Sequence, residues 1–421
     1  MPGALLQLNS TNVGNNYLVN NPQIRFYRKV MSTYNNFAKL LYYLDPINIV
    51  NKERKQLFSI NIPKHGDLIK ELYISIKIPC IHISNSNANS CDSGWLDNLP
   101  ARIIKHISFS IGSNEIQSFN SEYLYTHREL FQNYEIRTVY NDLSSTFDVY
   151  SDALPNIELL IPIPVWFFNE PFPICCLNES DLCISLELEP LEHLTSEMFE
   201  SVDRNYNADI QVEFLLNYIF LEEEESRRYH ASTHHYLIEQ YNLHRIEHVE
   251  TQLVANDETN FSRVNIMYET HGCTKDIIIL PRKMYTSVKT AAQRKLNFTN
   301  LDNIYTFPYI NKEIIKNMEI KFNKQIRMDR KTSEYFRYLE AFKNYTATAI
   351  DNGVYLYSFS LKPAALHPSG QCNLRHIHNV SISMDMVFDL AADGVEGYEV
   401  LLFNRFYNIL TLQSGGVSLV F

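Results

Sequence analysis

Ile184-Ser185-Leu186-Glu187-Leu188-Glu189 alternates apolar and polar residues without a break. In a β-strand successive side chains point to opposite faces, so Ile184, Leu186 and Leu188 would share one face and Ser185, Glu187 and Glu189 the other. The same period recurs far away on either side. Ile74, Ile76 and Ile78 alternate with Ser75 and Lys77, and Ile382, Met384, Met386 and Phe388 alternate with Ser381, Ser383 and Asp385. Further strands are predicted over 56–62, 102–110, 115–119, 158–168, 209–221, 276–280, 316–322, 354–361 and 398–410, set apart by loops rich in Asn, Asp, Pro and Ser. Many short strands predict an all-β sandwich or barrel. Helix is predicted at Ser121–Phe131 and around 221–230, where Glu223 and Glu224 stand four residues before Arg227 and Arg228. The second helix lies mid-chain between strands, which makes it the candidate linker.

A chain of 421 residues suits two domains of roughly 200 residues each. Hydrophobic residues at 45%, charged residues at 20% and a mean hydropathy of -0.23 exclude a disordered, collagen-like or polytopic membrane chain. The net charge of -11 supplies no general attraction for polyanions, so direct nucleic-acid binding is not expected. The densest basic run, 321–331, is interrupted by Met328 and Asp329. Seven cysteines (Cys80, Cys91, Cys175, Cys176, Cys183, Cys273, Cys372) show no C-x-x-C spacing and read as small buried thiols of a reducing compartment. The start carries no basic n-region and no segment approaches the ~20 apolar residues of a membrane span, so the chain is expected to stay where it is made. On that reading the sequons at Asn9, Asn178, Asn260, Asn297, Asn344 and Asn379 are chance.

Chemistry-bearing patterns are thin. His376-x-His378 would put two imidazoles on one strand face, but the Glu and further His of a cupin-type site do not follow. His230, His234 and His235, like His244 and His248, read as surface or loop residues. The run Glu222 to Glu225 reads as solvated and favoured at a helix start rather than as a cation cage. Glu187 and Glu189 belong to a strand's polar face. Vicinal Cys175-Cys176 would point to opposite faces of a strand, which argues against a relaxed disulfide. No nucleophile elbow, P-loop or dinucleotide fingerprint occurs. The expectation is therefore no catalytic residue, no cofactor and no metal. A rival class, a carbohydrate-binding β-sandwich, would use exposed aromatics, with Trp95 the candidate and Trp166 placed in an apolar strand of the core.

Several blocks together resemble one family, the double jelly-roll major capsid proteins of large nucleocytoplasmic DNA viruses. They begin with Gly3-Ala4-Leu5-Leu6-Gln7-Leu8 and Tyr17-Leu18-Val19-Asn20-Asn21-Pro22-Gln23-Ile24-Arg25-Phe26-Tyr27, followed by His65-Gly66-Asp67-Leu68-Ile69. Ile161-Pro162-Ile163-Pro164-Val165-Trp166-Phe167-Phe168 is similar to a late strand of the family's first roll, and Glu225-Ser226-Arg227-Arg228-Tyr229 to its interdomain passage. The most specific block is Gly353-Val354-Tyr355-Leu356-Tyr357-Ser358-Phe359-Ser360-Leu361-Lys362-Pro363 with His367-Pro368-Ser369-Gly370-Gln371-Cys372-Asn373. Asn404-Arg405-Phe406-Tyr407-Asn408 near Ser414-Gly415-Gly416 closes the match. Leu374-Arg375-His376-Ile377-His378 departs from the family's Phe-Ser-Arg and acidic pattern, and Asn265 to Thr270 departs from its Asn-His-Pro stretch.

The resemblance implies an all-β fold of two consecutive eight-stranded antiparallel jelly rolls, with short helices in loops and at the linker. It divides the chain into an N-terminal arm at 1–23, a first roll at 24–221, a linker helix at 222–234 and a second roll at 235–421. It also implies a homotrimer whose six lobes tile an icosahedral shell. The implied partners are neighbouring capsomers, minor capsid and penton proteins, and an internal viral membrane reached by the arm. The implied location is the virion capsid, and the host cytoplasm before packaging. A divergent paralogue acting as minor capsid or transient scaffold protein is the alternative within the same class.

Overall fold

The computed structural model describes residues 34–50, 56–79, 81–82, 98–132, 157–168, 170–178, 180–195, 210–247, 261–268, 272–300, 313–345, 353–388, 395–413 and 415–420, with isolated positions at 5–6, 21, 95–96, 135, 138–139 and 153–154. Most of the predicted arm, His248, Cys80, Cys91, Asn9 and Asn260 lie outside the described residues. Residues 1–37 form a unit of their own, and 38–421 form one compact unit.

Two jelly rolls follow one another along the chain. In the first, a sheet ordered Phe37–Leu44, Gln211–Leu221, Leu68–Ile78, Ile157–Ile163 faces one ordered Ile47–Val50, Gln56–Asn61, Leu182–Leu188, Ile104–Ile111, Asn114–Asn120. Neighbouring strands come from distant parts of the chain, as Greek-key connections require. Period-two patterning sets the register. In Leu182–Leu188 every second residue, Leu182, Ile184, Leu186 and Leu188, is buried, and Ile184 and Leu186 pair with Ile60 and Phe58 of the adjoining strand. In the second roll a sheet ordered His234–Ile246, Val395–Gln413, Cys273–Tyr285, Tyr355–Ser358 faces one ordered Phe261–Tyr268, Val380–Val387, Ile315–Phe322, Gln325–Thr332. Helix Glu223–Ala231 stands between the last strand of the first set and the first strand of the second, and none of its residues is buried.

The helix predicted at Ser121–Phe131 is present with those bounds. Asn120, in extended backbone, caps it by accepting from the Tyr123 amide at 3.0 Å. Some strand bounds differ from expectation for local reasons. Residues 102 and 103 belong to a short helix, Leu99–Ile103, begun by Pro100 in its first turn, where a missing N–H is harmless. The strand predicted over 158–168 stops at Ile163, because Pro164 cannot donate to a ladder and the chain turns through 166–168. Trp166 therefore sits in a turn rather than a strand.

Candidate functional site

Two stretches of the second roll break the alternation. Ile277-Ile278-Ile279-Leu280 and Val400-Leu401-Leu402-Phe403 are apolar throughout, and all eight residues are at most 1% exposed. A sheet buried on one face has no use for such runs, whereas one covered on both does. Ile277, Ile279, Val400 and Leu402 enter the second roll's own core, while Ile278, Leu280, Leu401 and Phe403 join a core continuous with that of the first roll. One sheet is thus the inner wall of its own sandwich and the platform on which the first roll rests. Polar and aromatic contacts gather along this seam.

Helix Ser121–Phe131 fastens the seam. Tyr123 stacks on Tyr241 with centroids 4.2 Å apart and tilts against Phe403 at 5.9 Å, Tyr125 meets Phe298 at 6.3 Å, and Phe131 meets Tyr345 at 5.6 Å. Backbone groups are matched across the junction as well. Gln117 Nε2 donates to the Glu239 carbonyl at 2.7 Å, the Asn120 amide to Tyr241 Oη at 3.1 Å, and Gln293 Nε2 to the Thr195 carbonyl at 2.8 Å.

Two charge clusters lie within this apolar setting. In the first, Arg405 donates from Nε to Asp276 Oδ1 at 2.7 Å and from Nη2 to Oδ2, reaches Glu239 at 3.3 Å, and lies over the Phe131 ring at 4.3 Å. Tyr345 Oη donates to Asp276 at 2.7 Å, and Lys275 pairs with Glu239. Asp276 is 0% exposed and Arg405 2%. The bidentate fork satisfies both carboxylate oxygens, as burial of an ion pair demands. A register shift between Thr274 and Asp276 brings Lys275 and Asp276 to this one cluster. In the second cluster Arg282 Nη1 reaches Glu122 of the helix at 3.0 Å while Nε holds Glu399. Burial alone would push the Glu122 carboxyl up, but Lys295, Arg282 and Arg245 outweigh it and hold it at about 2.

His127 lies on the same helix and lines a cavity of about 340 Å³ at the seam, together with Gln117, Trp166, Glu239 and Arg405. Burial, with Arg405 and Lys275 nearby, pushes its pKa down to about 3. The unfolded chain takes up a proton at ~6.5 that the folded chain refuses until about 3, so stability falls with acid across that window, by about 1.4 kcal/mol per pH unit. Glu122 acts in the same direction: its contribution is complete above its unfolded value of ~4.5 and is lost as pH falls through about 2. The drop in unfolding free energy between pH 7 and 5 should therefore shrink by about 2 kcal/mol in His127→Gln. Urea melts at the two pH values measure it, and an unchanged drop would refute the assignment.

The residues singled out in the sequence are placed as follows. His376 closes a 3-10 turn, Leu374–His376, and does not share a strand face with His378; both are exposed. The turn forms because the Asn373 side chain accepts from the Arg375 amide at 3.1 Å, diverting the backbone from the ladder. His234 stacks on Tyr229 at 5.2 Å and bonds its carbonyl through Nε2, His235 meets Thr411 Oγ1 at 3.1 Å, and His244 packs 5.6 Å from Tyr268. Glu187 pairs with Lys105 at 2.8 Å and Glu189 with His193 at 2.8 Å. Glu223 and Glu224 make the expected i,i+4 pairs with Arg227 and Arg228. In the basic run Lys321 pairs with Glu319 at 2.7 Å, Arg330 with Asp385, and Arg327 covers Tyr357. Trp95 is buried at 9% exposure and cannot present a ring face to a sugar. Cys175, Cys176, Cys183, Cys273 and Cys372 are free thiols and half-buried rather than buried. Cys175 and Cys176 lie in a 3-10 turn, Ile174–Cys176, not in a strand, with Sγ atoms 3.9 Å apart. No helix among the described residues is long and apolar enough to cross a membrane.

Two family models match in succession. "Major capsid protein N-terminus" covers residues 25–222, and "Large eukaryotic DNA virus major capsid protein" covers 225–418. The major capsid protein of Pyramimonas orientalis virus is 23% identical over 99% of this chain and 98% of its own length. That of Paramecium bursaria Chlorella virus 1 is 25% identical over 91% of this chain and 87% of its own. Among solved structures, the quasi-atomic PBCV-1 virus capsid superposes with a TM-score of 0.72 at 19% identity, over 94% of this chain and 100% of that one. The Faustovirus major capsid protein superposes with a TM-score of 0.70 at 8% identity, over 96% and 94%. These likenesses are of fold and reach across both rolls and the seam between them.

Proposed function

Given that the chain belongs to the major capsid protein family of large eukaryotic DNA viruses, we propose that it builds the outer shell of a virion as a homotrimer whose six lobes tile an icosahedral lattice. The seam carries this reading. A tile made of two lobes works only if the angle between them is fixed, and here a shared core, the buried Arg282–Glu122 pair and the Arg405 guanidinium over the Phe131 ring fix it. A second observation points the same way. The edge strand Phe37–Leu44 has only Leu44 buried, and Leu40, Leu41, Tyr42 and Tyr43 are 50%, 45%, 40% and 60% exposed. Among the described residues this apolar edge strand is exposed on both faces, and such an edge invites pairing with other chains; a neighbouring subunit is the cover we propose.

On this reading the division falls at 222–234, residues 1–23 act as an arm toward an internal membrane, and capsomers meet one another and the minor capsid and penton proteins. Assembly takes place in the host cytoplasm before packaging. Obligate contacts of this type bury ~2,000 Å² or more, so the trimer should persist at micromolar dilution and moderately raised salt. Multi-angle light scattering should return three times 49.2 kDa; a stable monomer across that range would overturn the capsomer reading. A stable trimer missing from mature particles under the electron microscope would instead assign a scaffold role.

A further inference from the structure

Three soft ligand atoms meet where the first roll touches the connecting helix. Cys175 and Cys176 lie in the turn Ile174–Cys176, and His230 lies in the last turn of helix Glu223–Ala231. One ligand atom from each falls within 4.8 Å of the other two. The sulfurs are 3.9 Å apart, close to the ~3.8 Å that two Zn–S bonds of ~2.3 Å subtend at a tetrahedral angle. A 3-10 turn makes this spacing available to adjacent residues, because it sets successive side chains ~120° apart where a strand would set them opposed.

The scaffold around the three is held by other bonds. Asp67 accepts from the Leu221 amide at 2.8 Å and from Ser226 Oγ at 2.6 Å, and its own carbonyl accepts the Cys175 amide at 3.1 Å. Turn and helix are thus registered to each other through one residue of the first roll. As a thiol, Cys176 Sγ donates to the Tyr229 carbonyl at 3.4 Å, which keeps the sulfur beside the helix end; that bond is given up when the thiol is deprotonated. His234, the other nearby imidazole, already bonds the same carbonyl at 2.8 Å. His230 is exposed and the thiols are half-buried, so an ion has both an entry path and an open fourth position.

We propose that Cys175, Cys176 and His230 form a thiophilic cation site, with Zn(II) the fitting ion and water the fourth ligand, that clips the connecting helix to the first roll. Two thiolates and the imidazole match the N/S donor set such ions prefer over oxygen-rich sites. Both thiols lose their protons to solvent on binding, so the bound centre is electrically neutral. The site is independent of the shell reading, because metal binding can be measured on any oligomer.

The test uses the full chain, stripped with a chelator under reductant and titrated with Zn(II) against a chromogenic competitor, and in parallel with Co(II). One equivalent per chain should bind, with a thiolate-to-cobalt charge-transfer band. Cys176→Ser should weaken zinc binding by at least ~100-fold and His230→Ala by at least about tenfold. Binding that equals that of the Cys175→Ser/Cys176→Ser double variant, or a cobalt spectrum without the thiolate band, overturns the proposal. Should a serine variant misfold, wild-type protein decides the matter through alkylation followed by mass spectrometry. Zinc should shield Cys175 and Cys176 while leaving Cys183 reactive, and equal labelling with and without zinc sinks the idea.

Discussion

Arg405→Met should lower the unfolding free energy by about 3–5 kcal/mol, the range for stranding one partner of a buried ion pair. Asp276, 0% exposed, would lose both bonds of the guanidinium fork and keep only the Tyr345 hydroxyl among the partners it has in the cluster. Methionine retains most of the bulk over the Phe131 ring, so the loss would be of charge and hydrogen bonding rather than of volume. The double variant Arg405→Met/Asp276→Leu should recover at least half of the deficit, because it leaves no carboxylate facing an apolar wall. Urea denaturation of the three proteins measures this. A single-variant loss under ~1 kcal/mol, typical of a surface pair, would show that the cluster is solvated.

The second large effect is expected at Gly353. Its φ is +71°, and a Cβ there would stand 2.0 Å from the Phe298 carbonyl oxygen and 2.8 Å from the carbonyl carbon. Both are backbone atoms, so no rotamer change relieves the collision. Gly353→Ala should therefore destabilise by ~4 kcal/mol or more, displacing Phe298 and with it the contact to Tyr125 of the seam helix. Gly416→Ala is the control: the nearest atom to its Cβ is 3.6 Å away, and a change within ~0.5 kcal/mol is expected. Equal melting temperatures for the two variants would refute the placement of Gly353.

Legibility in the sequence followed the range of the interaction. Strands such as Leu182–Leu188 declare themselves because side-chain alternation is local, and helix Ser121–Phe131 because its cap and pattern are contained in a dozen residues. The continuous apolar runs at 277–280 and 400–403 were equally visible, but their two-faced burial needs a partner more than a hundred residues away. Glu122, Glu239, Asp276, Arg282, Glu399 and Arg405 carry no shared motif; only the fold assembles them. At Cys175-Cys176 the strand assumption failed for a reason written nearby. Pro171 and Pro173 flank Phe172, Pro173 has no N–H for a ladder, and the chain winds into a 3-10 turn instead. The need for glycine at 353 appears only once Phe298 is beside it.

The two-faced platform also sets a schedule for synthesis. Its central strand, Val395–Gln413, lies between His234–Ile246 and Cys273–Tyr285, so the platform lacks its middle until that strand leaves the ribosome, well after both of its neighbours. Nascent chains commonly fold from their N-terminal domain onward. Here the first roll would emerge with Tyr123, Tyr125 and the Glu122 carboxylate facing water, because the surface that receives them does not yet exist. A chain ended before Val395 would leave the second roll without a strand and the first without the platform on which it rests. Only copies that extend through Gln413 could then close the seam, so any assembly that needs a closed seam would exclude shorter products without a separate proofreading step.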